Sequence, residues 1–241
     1  MKSAWECFRL AAKCEAKALG TVNPGGRAAL LKAARQWRDL GNTAQQARGV
    51  VKGTGTVDGH AALAGQKAAF EAALGGRPLD TSLKILLRTA IEQADGETRG
   101  AFYVTNPAGT SLHHVTGMSE RYAQCVDGFA VAPSSLACGL AAHLRQPVIT
   151  PDVSEEPLWK PWLWLAEQFG YRACWSFPVE TADGKVVGTF AVYSEKPRYA
   201  SPYDLEFAAA ITQAAGVIIH HHAVVLPTVR AARRSQFDGV R

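Results

Sequence analysis

Three tryptophans within six residues, Trp159, Trp162 and Trp164, are the densest chemistry in this chain. An indole offers a broad apolar face, a π-surface for planar or cationic partners, and one N–H that needs an acceptor when buried. On a helix over 157–169, Trp159 and Trp162 are neighbours, and Trp164 points about 200° away from Trp162. Either one pair faces a ligand cavity and the third faces the sheet, or all three are packing, the commoner use of aromatics at helical spacing.

The five cysteines, Cys7, Cys14, Cys125, Cys138 and Cys174, are odd in number and widely spaced. They form neither a disulfide framework nor a CxxC metal knuckle, and they read as reduced thiols. Cys138 falls in the first turn of an expected helix, 136–144, where the helix dipole favours a thiolate. A sensing or ligand-attaching thiol and a small core residue both suit that position. His220, His221 and His222 point about 100° apart on a helix and cannot share one ion, and His113 and His114 alternate across a strand. No GxSxG, Walker or dinucleotide fingerprint occurs. Nothing here has the pattern of acid/base or nucleophilic catalysis, so a non-enzymatic role is expected.

Charge is divided unevenly behind the net +5. Residues 1–52 hold 10 Lys/Arg against 3 Asp/Glu, residues 53–225 hold 12 against 17, and residues 226–241 hold 4 against 1. Basic ends without a base-reading motif are expected to be solvated helix faces rather than nucleic-acid contacts. No long apolar run or secretory leader is read, so no membrane insertion and a cytoplasmic location are expected.

These residues need elements to position them. Trp5, Phe8 and Leu19, then Leu30, Leu31, Trp37 and Leu40, step at three and four residues. This predicts a helical hairpin over 1–42, with Pro24 and the glycines of 20–26 as helix breakers and Trp5, Phe8, Leu31 and Trp37 buried together. Residues 43–78, rich in glycine, predict a partly helical linker. A helix capped by Asp80 or Thr81 follows, then a hairpin over 100–105 and 111–115. A short helix over 119–126 comes next, then one over 136–144 capped by Ser134 or Ser135, a strand over 147–150 and the tryptophan helix closed by Gly170. Two strands, 172–180 and 185–194, are joined at Asp183 and Gly184. On the second, Val187, Thr189, Ala191 and Tyr193 are expected on one face, and Val186, Phe190 and Val192 on the other. Ser201 and Pro202 open a final helix to about 225, before a basic tail over 226–241. The fold class is α+β, an antiparallel sheet flanked by helices.

The run 174–193 resembles the two central strands of GAF domains: a strand with a proline, a Gly-Lys turn, and a strand with a small-residue break at Gly188. Residues 137–142 and 146–152 are similar to the helix–strand unit before them. Residues 159–167 resemble a subgroup found in bacterial sensor histidine kinases and related regulators. The resemblance covers about 80–222, so the sensor domain is set at 79–225. It implies a GAF/PAS-like fold, small-ligand binding, and signalling through terminal helices to a separate kinase or regulator, commonly as a homodimer. The dimer stripes would be Leu83, Leu87 and Ile91, with Leu205, Ala208, Ile211, Ala215 and Ile218. The ligand is unidentified and no cofactor is named. Candidate ligand-binding residues are Trp159, Trp162, Cys138, Gly139, Tyr171, Cys174, Ser176 and Tyr103. One branch of the family reduces free methionine sulfoxide with several cysteines; Cys138 falls in a similar place, but where that branch carries its reactive thiol this chain has the tryptophan stretch. A thiol redox enzyme and a ligand-free scaffold are the alternatives.

Overall fold

Successive residues of a strand face opposite ways, and here the two directions lead to two different helical layers. In the computed structural model, which describes residues 4–48, 59–94 and 98–225, six strands form one antiparallel sheet in the order β3-β2-β1-β6-β5-β4. They are β1 (Thr98–Thr105), β2 (Ser111–Gly117), β3 (Phe129–Ala130), β4 (Val148–Thr150), β5 (Ala173–Glu180) and β6 (Val186–Ser194). The α+β class with an antiparallel sheet is as expected. β3, only two residues long, is defined by its pairing with Ser111 and Leu112 and has no signature of its own.

Helix α4 (Leu79–Glu92) and helix α8 (Pro202–His220) cover one face, with α3 (Gly59–Leu74) packed along α4. Leu83, Leu87, Phe102, Trp175, Phe190 and Ile211 form the core of this layer. The other face carries α5 (Glu120–Val126), α6 (Ala137–Leu144), a 3₁₀ turn (Pro157–Trp162) and α7 (Leu163–Phe169). Its core includes Tyr103, Cys138, Leu140, Trp159, Leu165 and Tyr193. Helices α1 (Ala4–Leu19) and α2 (Pro24–Arg48) form a hairpin whose first helix leans on β4 and α6. The expected basic tail lies outside the described residues, as does the middle of the expected linker.

Several local expectations are corrected. Pro24 and the following glycines lie inside α2, because Asn23 Oδ1 accepts from the N–H groups of Gly25 at 2.9 Å and Gly26 at 3.2 Å. A capping asparagine followed by proline at the first helical position starts a helix rather than breaking one. The hairpin buries Ala11, Ala18 and Ala34 while Leu31 is exposed; the side chains of Trp5 and Phe8 lie outside those described. Neither Asp80 nor Thr81 caps α4, which follows Pro78, and Leu136 rather than a serine precedes α6; neither helix start has a side-chain cap. Ser119 does cap α5, accepting from the Tyr122 N–H at 3.2 Å. Ser201 and Asp204 close a reciprocal capping box on α8.

The tryptophan segment is not one helix. Pro161 lies within it and has no N–H for a helical ladder, so a 3₁₀ turn precedes α7. At three residues per turn Trp159 and Trp162 stack on one side.

The faces of β6 are also corrected at one end. A register shift sits where Val179 pairs Gly188 and Glu180 pairs Val186, leaving Val187 as the extra residue of a bulge. Thus Val186 packs with the Tyr193 layer and Val187 with the Phe190 layer. Gly188 lies where a Cβ would come within 2.1 Å of the Tyr103 carbonyl oxygen, so the strand break reads as close backbone approach.

Leu83, Leu87, Ala208, Ile211, Ala215 and Ile218 are all buried against this chain's own sheet. Most of the residues expected to carry a dimer contact are therefore already occupied, while Ile91 and Leu205 are partly buried. No helix among the described residues is long and apolar enough to cross a membrane.

Candidate functional site

Between the second layer and the sheet lies a cavity of about 370 Å³. Its sheet wall is Tyr103 of β1, Cys174 of β5 and Tyr193 of β6; α5 contributes Tyr122, Cys125 and Val126. The rim runs from Asp127 and Phe129 through Ser134 and Ser135 to Ala137 and Cys138 at the start of α6, and Trp159 with Trp162 closes the remaining side. The walls are largely aromatic and apolar, with few polar groups.

Five predicted residues meet there: Trp159, Trp162, Cys138, Cys174 and Tyr103. Three do not line it. Gly139 is buried against the Ser135 hydroxyl and the Ala130 carbonyl, where a Cβ would fall 2.1 and 2.2 Å from them. It lets α6 approach the β3 segment. Ser176 is fully buried beside the Cys138 thiol. Tyr171 packs edge-on to Trp159 with ring centres 6.0 Å apart and lines a neighbouring surface groove with Arg172 and Glu195. Trp164 is turned to solvent, 46% exposed, whereas Trp159 is 2% exposed and Trp162, at 38%, stands at the mouth.

The sequence reading missed Tyr122, Tyr193, Phe129, Asp127 and Cys125. Tyr193 carried a usable signal, since it shares the strand parity of Thr189 and Ala191. The others depend on how α5 and β3 fold over the sheet edge, which no spacing records.

Three phenols form a buried chain. Tyr122 donates to the Tyr193 oxygen at 3.2 Å, and the Tyr103 and Tyr193 hydroxyls share a bond of 2.9 Å. Burial raises the pKa of all three well above the phenol range, so they stay protonated. The Trp159 Nε1–H is buried without an acceptor.

The two buried thiols are not activated. Burial pushes Cys138 up to about 11, although the hydroxyls of Ser176, Thr189 and Tyr193 pull the other way. Burial, then the neighbouring Cys138, raises Cys174 further above its usual range. The expectation that a helix start lowers Cys138 is therefore overturned: α6 is only eight residues long, and loss of solvent outweighs its dipole. Cys125 is exposed.

At the rim, burial tends to raise Asp127, but the His114 backbone N–H at 2.8 Å and the His113 ring at 3.3 Å hold its carboxyl below the usual range. His222 is spent on backbone carbonyls, of Ile218 at 2.9 Å and Arg77 at 2.8 Å. No group of three or more His, Cys, Asp or Glu able to hold a metal occurs among the described residues.

The chain is thus an α+β domain with a curled antiparallel sheet, helices on both faces and a cavity under one helical layer. A family model described as GAF domain matches residues 76–220, more than half the chain, and the protein belongs to that family. A curated relative, the methyl sulfide methyltransferase-associated sensor of Methanosarcina acetivorans, is 26% identical over 166 residues. That match takes in 65% of this chain and only 16% of the relative's length. Among solved structures, the GAF domain of a phosphoenolpyruvate-protein phosphotransferase from Coxiella burnetii superposes with a TM-score of 0.53 at 14% identity, over 69% of this chain and 98% of that one. Free methionine-R-sulfoxide reductase from Neisseria meningitidis, in complex with its substrate, gives 0.51 at 14% identity, over 70% and 96%. At these identities the structural likeness speaks for the fold.

Proposed function

We propose that this protein is a sensory or regulatory GAF module that holds a small molecule in the cavity beneath Trp159 and Trp162 and reports its presence to a partner. The observation that carries this reading is the aromatic-walled cavity of about 370 Å³, lined by Trp159, Trp162, Tyr103, Tyr122 and Tyr193. The sensor role of the Methanosarcina relative supports it.

A physical route outward exists in the strands. Cys174 and Tyr193 face the cavity, and their neighbours Trp175 and Val192 pack in the α4–α8 layer. A ligand that moves one face of β5 and β6 therefore presses on α8, whose Gly216 already meets the Glu180 carbonyl, a Cβ there falling 2.1 Å from it. Only a difference in affinity between two arrangements can drive such a shift. The recipient is a separate kinase or regulator, or a second copy of this chain joined through faces other than the buried stripes.

Native mass spectrometry of the freshly purified full chain tests the receptor reading. A co-purified small molecule, or a rise in Tm with members of a small-molecule panel, is expected. A chain that carries nothing and responds to nothing in the panel refutes it.

The thiol-reductase alternative draws on Cys125, Cys138 and Cys174 lining one cavity. It is disfavoured because both buried thiols are held protonated, and the thiolate is the nucleophile.

A further inference from the structure

The cavity groups that solvent reaches stand at its mouth. Trp162 and Phe129, both partly exposed, and the half-exposed Asp127 carboxylate line it there. Behind them come the rings of Tyr103, Tyr122, Tyr193 and Trp159. Neighbouring rings meet nearly at right angles: Tyr103 to Phe129 at 81° with centres 5.5 Å apart, and Tyr122 to Tyr193 at 71° and 5.6 Å. Among the lining residues there is no Lys, Arg or His, and Asp127 is the one carboxylate. A bound anion would have no counter-charge, and desolvating it would be costly.

A cation meets the opposite conditions. Six aromatic side chains stand in the walls, and aromatic π-systems attract positive charge. The Asp127 carboxylate keeps its charge to offer. Its Oδ1 accepts from the His114 backbone N–H at 2.8 Å, and its Oδ2 lies 3.3 Å from Nδ1 of His113. The Ser111 hydroxyl is 3.2 Å from the other nitrogen of that ring, so neutral His113 with its proton on Nδ1 satisfies both bonds and leaves the carboxylate uncancelled. Residues 53–225, which contain the cavity, hold 12 Lys/Arg against 17 Asp/Glu, a balance that draws cations to the domain. The phenols bond one another, and Tyr193 also the Cys138 thiol, so the inner wall is poor in acceptors for the N–H groups of a primary ammonium. An alkylated ammonium needs none, because it carries its charge on an apolar surface. Resting on the receptor reading above, we infer that the cavity takes a small alkylated ammonium cation, held among the aromatic side chains with Trp162 and Asp127 at its mouth.

The test is a matched probe set titrated calorimetrically into the full chain: choline, ethanolamine, 3,3-dimethylbutanol, in which carbon replaces the quaternary nitrogen, and 3,3-dimethylbutanoate. Choline is expected to bind at least about tenfold more tightly than each of the other three. Trp162→Ala and Asp127→Asn, both at exposed positions, are each expected to weaken choline about two- to fivefold and to leave the neutral alcohol unchanged. If the alcohol or the carboxylate matches or exceeds choline in the unaltered protein, the cation assignment is overturned, whether or not the variants fold, while the receptor reading survives. Ethanolamine equal to choline overturns the alkylated class. Variants that weaken the alcohol as much as choline overturn the placing of charge recognition at Trp162 and Asp127. If none of the four binds at millimolar concentration, the class assigned here is overturned, and the co-purification and panel experiment then decides separately whether the receptor reading stands.

Discussion

Gly188 of β6 lies directly against the backbone of Tyr103 on β1: a Cβ at 188 would come within 2.1 Å of the Tyr103 carbonyl oxygen and 3.3 Å of the Val104 Cα. These atoms belong to paired central strands and cannot retreat without breaking the ladder.

Gly188→Ala is therefore expected to destabilise the fold by about 2 kcal/mol or more. By contrast Gly25→Ala, in the first turn of α2 with its nearest neighbour 3.4 Å away, should change stability by less than about 0.5 kcal/mol. Urea unfolding of the two variants measures both; equal effects would show that β1 and β6 are not so closely apposed.

Tyr193 is the centre of the phenol chain. Tyr193→Phe keeps the ring but strands the hydroxyls of Tyr103 and Tyr122 in a buried site. A loss of about 1–3 kcal/mol is expected. Tyr122→Phe, at the end of the chain, should cost less. The reverse order in denaturant midpoints would place the centre of the chain elsewhere.

Thiol labelling separates the cysteines. Cys125 is exposed, whereas Cys138 is buried with its thiol pushed up to about 11. With iodoacetamide at pH 8, peptide mapping should find Cys125 modified well before Cys138. Labelling of Cys138 as fast as Cys125 would return weight to a redox enzyme.

Stability should fall on the alkaline side. A thiol of ordinary value near 9 that is held at about 11 when folded binds its proton more tightly in the native state. Its contribution is fully present below pH 9 and is lost as pH rises through 11, on the order of 2 kcal/mol. Cys174 and the buried tyrosines, shifted in the same direction by burial, steepen the loss. Denaturant unfolding from pH 7 to 11 reads this. Cys138→Ala should flatten the part that begins near pH 9, and a slope unaltered by that change would count against the shift.

Ser201→Ala removes an acceptor for the Asp204 N–H at 3.1 Å and half of a capping box. About 1 kcal/mol of stability should go with it, measured as a lowered urea midpoint with unchanged m-value.

Local chemistry settled much of the fold in advance. Period-two alternation, the Asp183–Gly184 turn and the Ser201–Pro202 start identify β5, β6 and α8 from sequence alone, because alternation, a positive φ at Gly184 and capping are properties of a few adjacent residues. Cys174 and Tyr103, both named as candidates, do line the cavity. What tertiary structure decided were matters of registration and crossing. The bulge at Val187 depends on the partner strand, and the wall made by Tyr122, Asp127 and Phe129 on α5 and β3 folding across the edge. The fate of Cys138 was decided the same way: its position in a helix start is local, but its loss of solvent comes from packing against strands that follow far along the chain, at Ser176, Thr189 and Tyr193.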